Sequence, residues 1–241
     1  MNIEKILASI ILSAGIFLGG FFIAGSLHYI KDFDRTVKVK GLDEKNVKSD
    51  LGILILTFVQ SSNEINEVYK AFSLSQNKIM DFLHSKGVKN EEVEKTGLEV
   101  QDNRQYSENL KKPAYTGTSK VIISSKEVDL IKSLSQNSGS LLEKGVVITQ
   151  AEVKFLFTSL NSIKNEMLDR AVKNAYEAAN TFASQTNSKL GKIRNAYQGL
   201  FTIVDANSAE DYEKTKSIQK RVRVVVAVDY FLEWITFFST S

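Results

Sequence analysis

Between Ile6 and Ile30 the chain carries no full charge at neutral pH, and no other stretch restricts its fold as tightly. Wound as a helix at about 1.5 Å per residue, such a run exceeds the roughly 30 Å hydrocarbon core of a bilayer. A helix that is apolar around its whole circumference has no face to turn toward water, so the segment reads as membrane-spanning. Ala24-Gly25-Ser26 offers small residues to a signal peptidase. The apolar run is nevertheless longer than the about 7–15 residues of a cleaved signal core, which favours an uncleaved signal anchor. A cleaved form, soluble in the periplasm, is the alternative. Gly15 and Gly19 have the GxxxG spacing that lets two membrane helices approach closely, although glycine is common in such helices in any case.

The flanking charges disagree with export. Only Lys5 precedes the segment, whereas Lys31, Arg35, Lys38 and Lys40 follow it. The positive-inside rule alone places the following domain in the cytoplasm. The signal-like position at the N-terminus favours the opposite side.

Composition narrows the function classes. Thirty-one basic and 28 acidic residues leave a net charge of +3, too small for a dedicated nucleic-acid binder. The chain has no cysteine, so disulfides, thiolate metal sites and thiol catalysis are excluded.

Beyond the anchor the hydrophobic pattern alternates between periods of two and 3.6. Residues 35–41 read as a short strand, and 52–60 as a strand buried on both faces. Ser61 with Glu64 forms a capping box ahead of a helix whose stripe runs from Ile65 to Leu83, closed by Gly87. Strands follow at 93–103 and 114–124, joined by the polar stretch 105–112. Ser124 with Glu127 caps a shorter helix ending near Gly139, and 146–158 is the next strand. This β-α-β-β-α-β order is that of a ferredoxin-like unit. A long helix at 162–186 buries Leu168, Ala171, Val172, Ala175, Ala179, Phe182 and Ala183. Two final strands, 192–204 and 217–232, form a hairpin, the second with Val222, Val224, Val226, Val228 and Tyr230 on one face. No composition shift marks a linker. The expected organisation is an anchor with linker over 1–34, one α+β domain over 35–232 and an aromatic tail over 233–241.

Several pieces of this pattern, in this order, resemble the SIMPL-domain family of bacterial envelope proteins. They are Val37-Lys38-Val39-Lys40-Gly41, Val47 with Ser49-Asp50, Lys86-Gly87-Val88, Glu94-Lys95-Thr96-Gly97-Leu98 and Tyr115-Thr116-Gly117. The alanine-spaced helix Ala171, Ala175, Ala179, Ala183, followed by Lys189-Leu190-Gly191-Lys192-Ile193, completes them. The family more often has proline before the aspartate, where this chain has Ser49. The resemblance implies an exported α+β domain at the periplasm or cell surface, a tendency to large homo-oligomers and loose links to envelope stress and immune recognition. It brings no established catalytic residues.

The residues themselves offer little chemistry. His84, with Asp81 three residues before it, has no second histidine or cysteine to complete a metal site. Nucleotide-binding glycine motifs and a nucleophile elbow are absent. Glu91-Glu92 and Glu210-Asp211 read as solvated loop charges, and Lys220-Arg221-Val222-Arg223 as a strand with its arginines outward. Five aromatic residues in the nine from Tyr230 to Phe238 resist so plain a reading. Tyr230, Phe231, Trp234, Phe237 and Phe238 either continue the last strand into the core or make a subunit or membrane contact. The expectation is a non-catalytic, self-assembling envelope scaffold or binding module. It is anchored in the inner membrane with its domain facing the periplasm, and it has an envelope partner but no cofactor, metal or nucleic acid. An envelope enzyme with a carboxylate site and a cytoplasm-facing adaptor are the alternatives.

Overall fold

The computed structural model describes residues 12–23, 35–104, 113–207 and 215–234. Within the apolar N-terminal run, residues 12–23 form helix α1, which leaves Phe17, Phe21 and Phe22 exposed. Among the described residues no helix is long and apolar enough to cross a membrane. The rest of the expected span, the loop at 105–112, Glu210-Asp211 and the tail beyond Trp234 lie outside the described residues.

The remaining elements fall into two compact units where the sequence shows no linker. The larger comprises Glu44–Lys164 and Thr202–Val222; the smaller comprises Met1–Asp43, Asn165–Phe201 and Arg223–Ser241. No linker is visible because the chain changes unit inside elements. It does so in strand β1 (Thr36–Lys48), at the first residue of helix α5 (Lys164–Gln185) and in strand β9 (Gln219–Trp234). The fourth crossing lies in the turn between β7 (Ser188–Gln198) and β8 (Thr202–Asp205).

In the larger unit β2 (Leu51–Ser62) leads into α2 (Ile65–Ser85), then β3 (Val93–Lys95) and β4 (Glu99–Asp102). After β5 (Tyr115–Ser125) come α3 (Val128–Asn137), the single turn α4 (Ser140–Glu143) and β6 (Ile148–Leu156). The sheet order is β3-β5-β2-β6, with β4 also on β5, and these strands pair antiparallel. This is the expected ferredoxin-like arrangement. Register puts Leu54 opposite Ile123, Leu56 opposite Val121 and Phe58 opposite Ser119, so one face carries the buried row that α2 and α3 cover. Each such side chain contributes roughly 1.5–3 kcal/mol through burial. Ile53 and Ile55, on the other face, are only half-buried, which corrects the expectation of a strand enclosed on both sides.

Neither expected capping box forms: β2 and β5 run two residues and one residue further, and α2 and α3 start after Glu64 and Glu127 with no side-chain cap bond, although a serine two residues ahead of each glutamate holds its backbone. Ser62 Oγ accepts the N–H of Glu64 at 3.2 Å and Ser125 Oγ that of Glu127 at 3.1 Å. The expected cap Ser61 bonds instead to Thr116. Gly87 closes α2 as expected, at φ +89°, a backbone region that disfavours any side chain.

In the smaller unit β9 lies between β1 and β7. The buried stripe of α5 is narrower than expected: Met167, Ala171, Ala175, Ala179 and Ala183 are buried, while Val172 and Phe182 are exposed. The reason is Gly41 on β1. A Cβ there would lie 1.9 Å from the carbonyl oxygen of Ala171 and 2.6 Å from the amide nitrogen of Ala175. Helix and strand approach backbone to backbone, and only an alanine ridge fits such a separation. Asn174 Nδ2 donates to the Leu42 carbonyl at 2.7 Å, and Arg170 pairs with Asp43 at 3.1 Å on the same side. The expected strand over 192–204 starts earlier and breaks in two around Gly199, whose N–H still donates to Val225 O at 2.8 Å.

Gly41→Ala is therefore expected to destabilise by at least about 3 kcal/mol, at or beyond the top of the usual overpacking range. Gly97→Ala, where nothing lies within 4 Å of the added carbon, should stay within about 0.5 kcal/mol. Thermal unfolding of both variants checks this, and equal midpoints would mean that α5 does not pack so closely on β1.

Candidate functional site

Each unit presents an open cleft of at least about 570 Å³, and these two differ in chemistry. That of the larger unit, about 600 Å³, is polar and has Lys48, Lys132, Lys216, Asp129 and Phe155 in its lining. Beneath it lies a buried ion pair. Asp205 ends β8 and Lys220 is the second residue of β9; they are 2% and 0% exposed. Lys220 Nζ donates to Asp205 Oδ1, and the other carboxylate oxygen accepts the backbone N–H groups of Lys216 and Ser217 at 2.8 and 2.9 Å. Burial raises the Asp205 carboxyl, but the Lys220 and backbone hydrogen bonds outweigh it and hold the group below its ordinary value.

Sequence reasoning missed this pair by reading Lys220 with its arginine neighbours. The signal was present: Lys220 shares the parity of Val222 to Tyr230, the buried face of the strand. Arg221 and Arg223, of opposite parity, are half-exposed as expected.

The Ser49-Asp50 step has a comparable role. Asp50 accepts the N–H of Thr158 at 2.7 Å, its hydroxyl at 3.0 Å and the N–H of Ser159 at 2.8 Å. Burial pushes this carboxyl up as well, and the hydrogen bonds from Ser159 and Thr158 pull it lower still. The aspartate thus ties down the backbone just after β6. Asp129, the other acid in the cleft, is bound to Lys48 at 2.5 Å. Asp50 and Asp205 are thus engaged as hydrogen-bond acceptors and held below their ordinary value.

The smaller unit's cleft, about 570 Å³, lies between α5 and β7 and is lined by Val172, Tyr176, Ile193 and Tyr230. Tyr176 and Tyr230 meet edge to face, centroids 6.3 Å apart at 71°. Burial, and then the neighbouring Tyr176, push the Tyr230 phenol up. Of the aromatic residues singled out in the sequence, Tyr230 is thus buried in its own unit. Phe231 points to the opposite face, half-buried, with the Arg194 guanidinium 5.9 Å from its ring centre. Trp234 ends β9, its backbone opposite Ser188. Phe237 and Phe238 lie outside the described residues. Gly15 and Gly19 sit in α1 with open space where a Cβ would project. His84, exposed at the end of α2, shares a 2.7 Å hydrogen bond with Asn90. Among the described residues no group of three metal-ligating side chains converges.

Residues 37–230 match the family model SIMPL, described as a protein of unknown function (DUF541). The chain belongs to the SIMPL family. The SIMPL match runs from the second residue of β1 to Tyr230, so it takes in residues of both units. A comparison with curated proteins finds no match. The SIMPL motif residues now have physical roles: Gly41 admits α5, Asp50 caps the chain after β6, Gly87 ends α2, and the alanine ladder is the buried ridge of α5.

Removing one member of the buried pair leaves an uncompensated charge. Asp205→Ala is expected to cost about 3–5 kcal/mol, whereas Asp205→Leu with Lys220→Met should cost much less. Urea unfolding of the two variants decides between them; equal losses would refute a pair held together by mutual compensation. Because the folded carboxyls of Asp50 and Asp205 lie below their ordinary value of 3.8, the unfolded chain takes up protons first as pH drops. Their contribution is complete above about pH 4 and is lost as pH falls further, through the folded values. Asp50→Asn should lower stability at neutral pH and flatten that acid loss. An unchanged acid limb would show that Asp50 is not one of its sources.

Proposed function

We propose that this SIMPL chain is a non-catalytic, membrane-anchored protein of the cell envelope. It is held in the inner membrane by its N-terminal helix with its folded units on the periplasmic side. It assembles with copies of itself and serves as a scaffold or binding module, with envelope stress protection as the setting its family suggests. The observation that carries the reading is α1. Its large apolar side chains are exposed, among them Ile16 at 68% and Phe17 at 76%. A helix so apolar in water requires a cover, and the uncharged run from Ile6 to Ile30 around it has the length of a bilayer span. Self-assembly draws on the open approach at Gly15 and Gly19 and on the aromatic stretch that runs on past Trp234.

The catalytic alternative would use the polar cleft of the larger unit. Its two carboxylates, however, are committed to Lys48 and Lys220. The cytoplasm-facing adaptor draws its support from Lys31, Arg35, Lys38 and Lys40.

The absence of native cysteine makes orientation directly measurable. Lys126→Cys, at an exposed position before α3, should react with a small membrane-impermeant maleimide in intact cells. Labelling only after lysis would establish the cytoplasmic orientation instead. Light scattering of the full chain in detergent should give a discrete multimer; a monomer would remove self-assembly from the reading.

A further inference from the structure

Strand β7 is an edge. Among the described residues it pairs only with β9, which leaves the backbone groups of its other side without a strand partner. It is long, 11 residues, and from Lys192 to Gln198 its side chains are exposed on both faces. Unpaired strand edges invite addition of a further strand, and natural proteins restrict that by charge and by bulges. β7 has both. Lys189, Lys192 and Arg194 make it cationic with no acidic residue, and its register against β9 slips around Ile193. Gly191 lies at that irregularity, where a Cβ would meet the Phe231 carbonyl oxygen at 3.0 Å.

The smaller unit's cleft opens beside this same stretch. Ile193 contributes one wall and Val172 and Tyr176 on α5 the other, these three being 53%, 45% and 53% exposed, with Tyr230 also in the lining. Lys173 and Lys192 flank it, with Asp169 as the one acid. An apolar groove beside an open backbone edge is the arrangement by which sheets take up extended peptides: main-chain hydrogen bonds supply affinity and side-chain pockets supply choice.

We propose that β7 takes up an acidic extended peptide segment as an added strand, with one apolar side chain of that segment seated in the Tyr176–Ile193–Tyr230 groove. The charge of the edge selects the occupant. A second copy of β7 would set three cations against three, whereas carboxylates spaced along a strand meet Lys189, Lys192 and Arg194 favourably. This inference gives a ligand class to the binding-module reading and rests on it.

The test uses the full chain in detergent and a fluorescein-labelled peptide of about nine residues, a usual strand length, alternating glutamate with valine and phenylalanine. Fluorescence anisotropy at low salt should show saturable binding that weakens as salt rises. The same peptide with lysine for glutamate, and a version N-methylated along whichever of its edges meets β7, should each bind at least about tenfold more weakly. On the protein, Ile193→Asp and Lys192→Glu, both at exposed positions, should each weaken binding by about tenfold without moving the thermal midpoint. The inference is overturned by equal binding of the lysine peptide, by full binding of peptides N-methylated on either edge, or by no binding at all. Protection of β7 amides from exchange in a peptide-free multimer would assign the edge to a second copy and overturn it too. A chain that is anchored and multimeric yet ignores the peptide sinks this inference alone and leaves the scaffold reading standing.

Discussion

The arrangement depends most on a side-chain period of two held without a slip from Lys220 to Tyr230 along β9. Six positions of one parity are buried and the five between them are not. The first of the six is a lysine, which requires an anion beside it, and Asp205 supplies one in the larger unit. The last is a tyrosine, which meets Tyr176 of α5 in the smaller unit. One strand thus serves two compact units with two kinds of interaction, ionic at its start and aromatic toward its end. A slip by a single residue would expose the lysine and bury arginines, so the register is fixed at both ends by groups that cannot exchange places.

Much of this was legible in the sequence, and the misreadings share a cause. Element order, the ferredoxin-like unit, the valine face of β9 and the Gly87 cap follow from local periodicity and turn chemistry, which a sequence displays directly. Lys220 drew no reading of its own, because the parity that turns its arginine neighbours outward was not carried back one residue to the lysine. Val172 and Phe182 were assigned to the core because a helix is expected to bury a broad apolar stripe. Gly41 narrows that stripe to alanines through an approach between segments about 130 residues apart, which no window along the chain reveals. The division into two units was hidden for a related reason: three of its four crossings lie inside regular elements, where composition does not change.

Buried or capped acids carry structure here. Asp50 and Asp205 each gather backbone N–H groups, and Asp205 also the Lys220 ammonium, which keeps both ionised through ordinary pH. Polar chemistry in the larger unit is therefore largely consumed by holding loops in place. What remains open lies elsewhere, on the apolar surface of α1 and along β7 beside its groove.

The crossings also set an order of events during synthesis. The larger unit's sheet and helices are complete once the ribosome has passed β6, but Asp205 then waits for Lys220, some fifteen residues further on. The smaller unit waits longer. Its β1 emerges first, and the β9 strand that separates β1 from β7 comes after all the others. Closing that gap means joining segments nearly the whole described length apart, a connectivity that slows folding and leaves β1 without its partner strand in the meantime. Until β9 arrives, the early-made β1 thus depends on something other than its own sheet to keep its edge from foreign strands.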